Sequence, residues 1–322
     1  MSLSASSSSV IPAKAGIQGS QSTPGASDSR FRGNDGKGRA GGGPLDSGAL
    51  WIAPPLLVLI GCFFYPLSLI VGQAFTGAAG GFSLQTLGEV FASAMFRGAI
   101  LHTVEIALAA SAGCLALGFV LALIISFVPF PGAALLARLI DSFIALPTFL
   151  MALSFTFIYG SAGILNMSLM EMFGLPLPPI DFLYSTWGVI LAEVTVYTPF
   201  IMRPLLASFS LIETAQIEVA ASLGAGPWRI IRQIILPATL PALLAGGSLC
   251  LLLTVNEFGI VLFIGAKGVI TLPLLVYDKA IQEFDYPTAC VIAVINVGLS
   301  LGLYFLYRYA LGRFGGHRAG VV

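Results

Sequence analysis

The chain has 322 residues, of which 57% are hydrophobic and only 9% are charged. Soluble domains carry about 25% charged residues, so this composition excludes an ordinary soluble enzyme. Fifteen lysines and arginines balance fifteen aspartates and glutamates, and this neutral total gives no indication that the chain binds nucleic acid. The four cysteines lie far apart in apolar stretches, without the spacing of metal ligands. We therefore expect buried free thiols rather than disulfides or a metal site. We also expect no cofactor held by this chain.

The first fifty residues differ in composition from the rest of the chain. Residues 1–50 are rich in serine, glycine and proline, and such a segment cannot bury enough apolar surface to fold. We expect a disordered N-terminal extension without a cleaved secretory signal, because no apolar core of a signal peptide is present. Residues 10–18 and 28–37 resemble the translation of a dispersed bacterial intergenic repeat, so we also expect that the start codon has been assigned too early.

Six windows of the sequence are long and apolar enough to cross a bilayer, which takes about 20 residues of helix. They cover residues 51–73, 99–128, 142–160, 187–207, 239–264 and 287–311. The predicted fold class is an all-α polytopic membrane protein with six transmembrane helices.

The positions of the basic residues predict the orientation of these helices. Only Arg97, Lys267 and Lys279 fall on one side of the predicted spans, and the other 12 of the 15 lysines and arginines fall on the opposite side. Because loops rich in lysine and arginine stay in the cytoplasm, we expect both termini to be cytoplasmic.

The segment between the fourth and fifth windows, residues 213–237, has the pattern of two short helices with a break. Gly224 ends the first helix, because glycine readily adopts the left-handed conformation that stops a helix. Gly226 and Pro227 start the second, with proline at the first helical position, where its missing N–H costs nothing. Such a pair of helices suits docking into a groove of a partner.

This segment resembles the cytoplasmic signature of permeases of binding-protein-dependent ATP-binding-cassette importers. Val219 stands where that family usually has its first alanine. In the family this loop forms the coupling helix, which sits in a cleft of the ATPase subunit. The resemblance thus implies an ATPase-coupling role for Glu218, Ala220, Ala221, Gly224, Ile234, Leu236 and Pro237.

The resemblance covers roughly residues 95–311 and implies a type I importer permease fold in the bacterial inner membrane. It also implies three partners: a cytoplasmic ATPase, a periplasmic solute-binding protein and a second permease subunit, for which we prefer a paralogue over a second copy. The chain lacks a Gly-x-x-x-x-Gly-Lys-Ser/Thr phosphate loop, so ATP is expected to bind the partner. The predicted organisation is an extension (1–50), the first span with its periplasmic connection (51–94), the permease domain (95–311, coupling loop 213–237) and a cytoplasmic tail (312–322).

Several polar residues fall inside the apolar windows, where ionisable groups usually face a bundle interior or an aqueous cavity. Our hypothesis is that Asn256 and Glu257, with Gly259 allowing a break or a close helix approach, line the translocation pathway. For Glu193 a pathway role and a structural hydrogen bond to Thr195, Tyr197 or a neighbouring helix are equally supported.

Other charged residues near the ends of windows have plainer interpretations. His102 and Glu105 are expected to reach water or to pair with each other near the end of the second window. Arg203, followed by Pro204, is interpreted as an interfacial anchor beside a kink rather than as a substrate ligand. No arginine falls in the middle of a window to bind a phosphonate group.

Longer stretches indicate the cargo. Residues 143–149, 155–163, 181–184 and 246–268 resemble the permeases of bacterial 2-aminoethylphosphonate importers, so this phosphonate is the expected cargo. The alternatives are another cargo in the same importer class, such as a polyamine, ferric iron, molybdate or sulfate, and a proton-coupled secondary transporter. The docking pattern and the lack of matching halves argue against the secondary transporter.

Overall fold

The computed structural model describes residues 47–76 and 81–315, with side chains described for 51–76 and 81–310. Our expectations for residues 1–46 and 316–322 lie outside the described residues. Residues 47–50, which we placed in the disordered extension, are helical, and so are 312–315 at the start of the predicted tail. The chain divides after Pro54, and all packing described below belongs to the unit Pro55–Val322.

Regular structure in the described ranges is helical, apart from one antiparallel bridge between Thr76 and Phe82. The first half contains α1 (Ser47–Leu59), α2 (Tyr65–Ala74), α3 (Gln85–Ala92), α4 (Ala94–Phe127), α5 (Ala133–Ser142), a 3₁₀ turn (Phe143–Ala145), α6 (Thr148–Tyr159) and α7 (Ile164–Phe173). The second half contains α8 (Thr186–Phe209), α9 (Thr214–Ser222), α10 (Pro227–Ile230), α11 (Leu236–Val255), α12 (Gly259–Ile264), α13 (Leu272–Tyr277) and α14 (Tyr286–Gly315). Five-residue π-helical turns join α1 to α2 and α10 to α11, and a third follows α13.

Six helical stretches of the described chain are long and apolar enough to cross a membrane, which confirms the predicted number. They are Trp51–Ala74, Ala94–Phe127, Thr148–Phe173, Thr186–Phe209, Pro227–Val255 and Tyr286–Ala310.

The bounds of the third and fifth spans were predicted wrongly. The third begins at Thr148 rather than 142, because Pro147, in an extended conformation, separates α6 from the preceding turn. The fifth begins at Pro227 rather than 239, because α10 passes through a π-helical turn directly into α11. It ends at Val255, because residues 256–258 interrupt the helix within an apolar window that runs on to residue 264. Hydropathy reports whether a segment is apolar and does not report whether its helix is continuous.

The core of the bundle lies where α4, α8 and α11 pack against one another. Small residues of α4 allow this close approach. A Cβ on Gly113 would lie 2.6 Å from Val194 Cγ2, and a Cβ on Gly118 would lie 3.0 Å from Ile201. The last helix, α14, packs against α2, α11 and α13, and α12 packs against α6.

Candidate coupling loop and helix-break site

The predicted coupling loop forms two helices that are largely exposed in the described chain. No residue of α9 or α10 is buried, and Glu218 is exposed. Apolar side chains are exposed as well: Val219 by 58%, Leu223 by 81% and Trp228 by 74%. Exposed apolar side chains outside a membrane span are typical of a protein interaction site.

Gly224 ends α9 through its backbone conformation. Its φ of +82° is in the left-handed region, which glycine adopts without the steric cost that a Cβ brings. The N–H of Ala225 donates to the carbonyl of Ala220 at 3.0 Å, and the N–H of Gly224 donates to that of Ala221 at 2.9 Å. These two bonds form a Schellman cap, so Ala220 and Ala221 also supply the carbonyls that close the turn.

The second helix of the loop continues into the bundle without an intervening loop. Gly226 caps α10, and its carbonyl accepts from the N–H of Arg229 at 2.9 Å. The helix then passes through the π-helical turn Ile231–Ile235 into α11. Ile234, Leu236 and Pro237 lie on this continuous stretch.

Glu257 lies at the other end of α11, in the break between α11 and α12, and is only 6% exposed. Its Oε1 accepts a hydrogen bond from the backbone N–H of Ile260 at 2.7 Å, which caps the start of α12. Its Oε2 accepts from the hydroxyl of Tyr197 on α8. One carboxylate oxygen therefore caps α12, and the other connects the break to α8.

Asn256, beside it, is exposed and connects the break to α14. Its Nδ2 donates to the carbonyl of Leu252 at 2.8 Å and to Oγ of Ser300 at 3.3 Å. Its Oδ1 accepts from Nδ2 of Asn296 at 3.1 Å. The hydrogen bonds of Asn256 and Glu257 thus hold the break between α14 and α8.

Gly259 begins α12 at a close approach to α6. A Cβ at this position would lie 2.8 Å from Oγ1 of Thr148 and 3.4 Å from Oε1 of Glu257. The structure therefore brings Asn256, Glu257 and Gly259 together at the break, and Ile234, Leu236 and Pro237 lie toward the far end of the long helix that leads to it.

Glu193 is fully buried on α8, and neither of its carboxylate oxygens has a hydrogen-bond partner among the described residues. The hydrogen bonds to Thr195 and Tyr197 that one of the two alternatives offered are absent, since Thr195 donates to the carbonyl of Leu191 and Tyr197 to Glu257. In this respect the structural alternative is wrong. The two hydroxyls find partners on their own helix and across the bundle, and such partners do not follow from proximity in sequence.

His102 does not pair with Glu105. Its Nδ1 lies 3.4 Å from the backbone nitrogen of Ile270 and 3.3 Å from the carbonyl oxygen of the same residue. The neighbouring Thr103 accepts a hydrogen bond from the N–H of Leu272 at 2.8 Å. Both side chains hold the segment before α13 against α4, while Glu105 is exposed.

Sequence reasoning missed Asn296 and Ser300 as partners of Asn256. They are four residues apart on α14, and the hydroxyl of Ser300 donates to the carbonyl of Asn296 at 2.8 Å. An asparagine and a serine at helical spacing inside an apolar span is the signal that would have found them.

Residues 114–314 match the family of binding-protein-dependent transport system inner membrane components. The chain belongs to this family: it is a multi-pass inner-membrane permease subunit of an ATP-binding-cassette importer, and ATP hydrolysis in such systems takes place in a separate subunit.

Among the relatives is a protein of Salmonella typhimurium named as the 2-aminoethylphosphonate transport system permease PhnU. It is 62% identical over 266 residues, which are 83% of this chain and 93% of that protein. The sulfate transport system permease CysT of Escherichia coli is 31% identical over 202 residues, which are 62% of this chain and 70% of that one.

A solved bacterial alginate transporter, in complex with an alginate pentasaccharide-bound periplasmic protein, has the same fold. One of its chains matches with a TM-score of 0.67 and 19% identity over 85% of this chain and 96% of that one. The expected type I importer permease fold is thereby confirmed.

Proposed function

We propose that this chain moves 2-aminoethylphosphonate across the inner membrane, driven by ATP hydrolysis in a cytoplasmic partner. The observation that carries the cargo is the 62% identity to the Salmonella relative over 93% of that protein. The identity to the sulfate permease is half as high and covers 70% of that protein, so phosphonate is the better-supported anion.

The exposed loop supports the coupling part of the proposal. The exposed helix α9 and its C-terminal cap contain Glu218, the two alanines and Gly224. The helix that enters the bundle contains Ile234, Leu236 and Pro237 near the start of α11. In our proposal α9 docks into the ATPase, both termini are cytoplasmic, a periplasmic binding protein delivers the cargo and a paralogous permease completes the pathway. Closure of the ATPase then moves α9 and the helix attached to it.

We propose different roles for the four pathway candidates. Asn256 is exposed and can face the pathway, whereas Glu257 and Glu193 are buried. Glu257 and Gly259 act on the pathway by fixing the break that positions Asn256. Glu193, which is buried on α8, does not face the pathway in this proposal.

The test is uptake of labelled 2-aminoethylphosphonate by cells that lack this gene, complemented with the wild type or with Gly224→Asp. We expect uptake to return with the wild type alone and to resist competition by phosphate, spermidine and ferric citrate. Unchanged uptake after the deletion would overturn the cargo. Full uptake with Gly224→Asp, together with normal co-purification of the ATPase, would overturn the coupling role of the loop.

A further inference from the structure

A groove on the surface of the bundle has one charged residue in its wall. This cavity of about 330 Å³ lies between α8, α11 and the 3₁₀ turn before α6. Its apolar wall is formed by Ile144, Phe200, Pro204, Ala245, Gly246 and Leu249, and Arg203 is the charged member of the lining. The volume is within the range of small-molecule sites.

Gly246 explains why α8 and α11 approach so closely beside the groove. A Cβ at this position would lie 3.2 Å from Cγ of Pro204 and 3.4 Å from Cα of Ile201. The two helices are therefore in near contact along one side of the cavity, and the small side chain of Ala245 leaves the adjacent space open.

The guanidinium group of Arg203 uses one of its three nitrogens in a hydrogen bond within the described part of the protein. Its Nε donates to Oδ1 of Asp141 on α5 at 2.8 Å. Within residues 81–310 no hydrogen bond or ion pair uses its terminal nitrogens, and its side chain is 54% exposed. Because a guanidinium group carries further N–H donors on those terminal nitrogens, the side chain keeps a donor edge for a ligand in the groove.

The position of Arg203 suits the end of a transport path. It lies six residues before the end of α8, which is about 9 Å along the helix axis. In the orientation proposed above, this is the cytoplasmic end of the fourth span.

We propose that the groove binds the phosphonate group of the cargo as it leaves for the cytoplasm, with Arg203 as the anion contact and Asp141 as the residue that positions it. This inference rests on the proposed function. A guanidinium group matches a phosphorus oxyanion with two parallel hydrogen bonds. The role differs from the interfacial anchor expected from sequence, for which neither a groove nor a carboxylate partner is needed.

The probe is methylphosphonate, which carries the phosphonate group without the amine. The whole transporter, purified with its co-expressed partner subunits, is placed in nanodiscs of phosphatidylcholine, and broadening of the phosphonate ³¹P resonance reports binding. We expect the wild type to bind, Arg203→Gln to bind about tenfold more weakly or worse, and Arg203→Lys to fall between them, because lysine keeps the charge without the planar fork. Equal binding by the wild type and Arg203→Gln would overturn the inference.

A charge swap separates ligand binding from a structural ion pair. Arg203→Asp combined with Asp141→Arg restores a pair of opposite charges between α8 and α5 but moves the guanidinium off α8. We expect the swapped transporter to keep the thermal midpoint of the wild type and to lose methylphosphonate binding. Restored binding in the swap would show that only the ion pair matters and would refute a role for Arg203 as ligand.

An anionic lipid headgroup offers the same chemistry as the cargo, whereas the phosphate of phosphatidylcholine is balanced by its choline, so the nanodiscs are also made with phosphatidylglycerol. Unchanged methylphosphonate binding in these discs supports the cargo, and loss of binding there would assign the groove to a lipid headgroup instead. The two experiments distinguish failure of the proposed function from failure of this inference. If complementation with the wild type restores no 2-aminoethylphosphonate uptake, the proposed function fails, while Arg203-dependent binding of methylphosphonate by the purified transporter would still stand.

Discussion

Changing Gly224 to serine isolates the backbone of the coupling loop. Gly224 has φ +82°, and a Cβ there would meet nothing within 4 Å, so the effect comes from the left-handed conformation and not from a clash. An L-residue in this conformation costs about 1–2 kcal/mol, partly offset because serine also restricts the unfolded chain. A net cost of about 1 kcal/mol lowers the equilibrium constant between the closed and the open turn about fivefold. We expect uptake and transport-stimulated ATP hydrolysis to fall, by up to this factor.

Gly226→Ser is the matched control. Gly226 is equally open, but its φ is −70° and it is the N-cap of α10, where serine is favoured. Uptake of labelled 2-aminoethylphosphonate, normalised to the amount of protein in the membrane, should stay at the wild-type level in this variant. Gly224→Asn should recover part of the loss, since asparagine tolerates the left-handed region. Equal uptake with Gly224→Ser and Gly226→Ser would refute the reasoning.

Three further tests, two of them with a matched control variant, concern the packing around the break and the helices beside it. In Glu257→Gln an amide nitrogen replaces one of the two carboxylate oxygens that accept hydrogen bonds, so the free energy of unfolding should fall by about 1–3 kcal/mol, seen as a lower thermal midpoint of the purified transporter. Glu193→Gln should lower this midpoint less, because no hydrogen bond is lost there. Gly188→Ala should prevent accumulation of folded protein in the membrane, because its Cβ would overlap backbone atoms of the preceding turn, while Gly298→Ala on α14, with open space around it, should accumulate normally. Asn296→Ala removes the hydrogen-bond donor to Oδ1 of Asn256 and should lower the free energy of unfolding by about 1 kcal/mol, seen as a lower thermal midpoint. An unchanged midpoint would contradict a structural role for this hydrogen bond.

The helices of the coupling loop could be predicted from sequence because their ends are set locally. A left-handed glycine at 224 and a proline at 227 specify where one helix ends and the next begins, whatever surrounds them. The structure has α9 at Thr214–Ser222 and α10 from Pro227, within two residues of the predicted bounds. The number of spans was predictable for a related reason, since a span needs only a sufficient length of apolar residues.

The break at residues 256–258 could not be located in the same way. The apolar window runs through it, and the groups that stabilise it come from elsewhere in the chain: Tyr197 is 60 residues before Glu257, and Asn296 is 40 residues after Asn256. The pairing of Arg203 with Asp141 joins residues 62 apart. Such partners are decided by how the helices pack, which hydropathy and local propensity do not contain.

The continuity of the helix from Pro227 to Val255 limits how this protein can change in length. These 29 residues extend about 43 Å without a loop. The direction in which α10 points its side chains at the surface is therefore fixed relative to the faces of α11 that pack against α4, α8 and α14. In the α-helical parts, each inserted or deleted residue would rotate one end about 100° relative to the other. Natural insertions and deletions should therefore be excluded from this stretch and tolerated in the loop between α7 and α8, where no helix carries a phase from one side to the other.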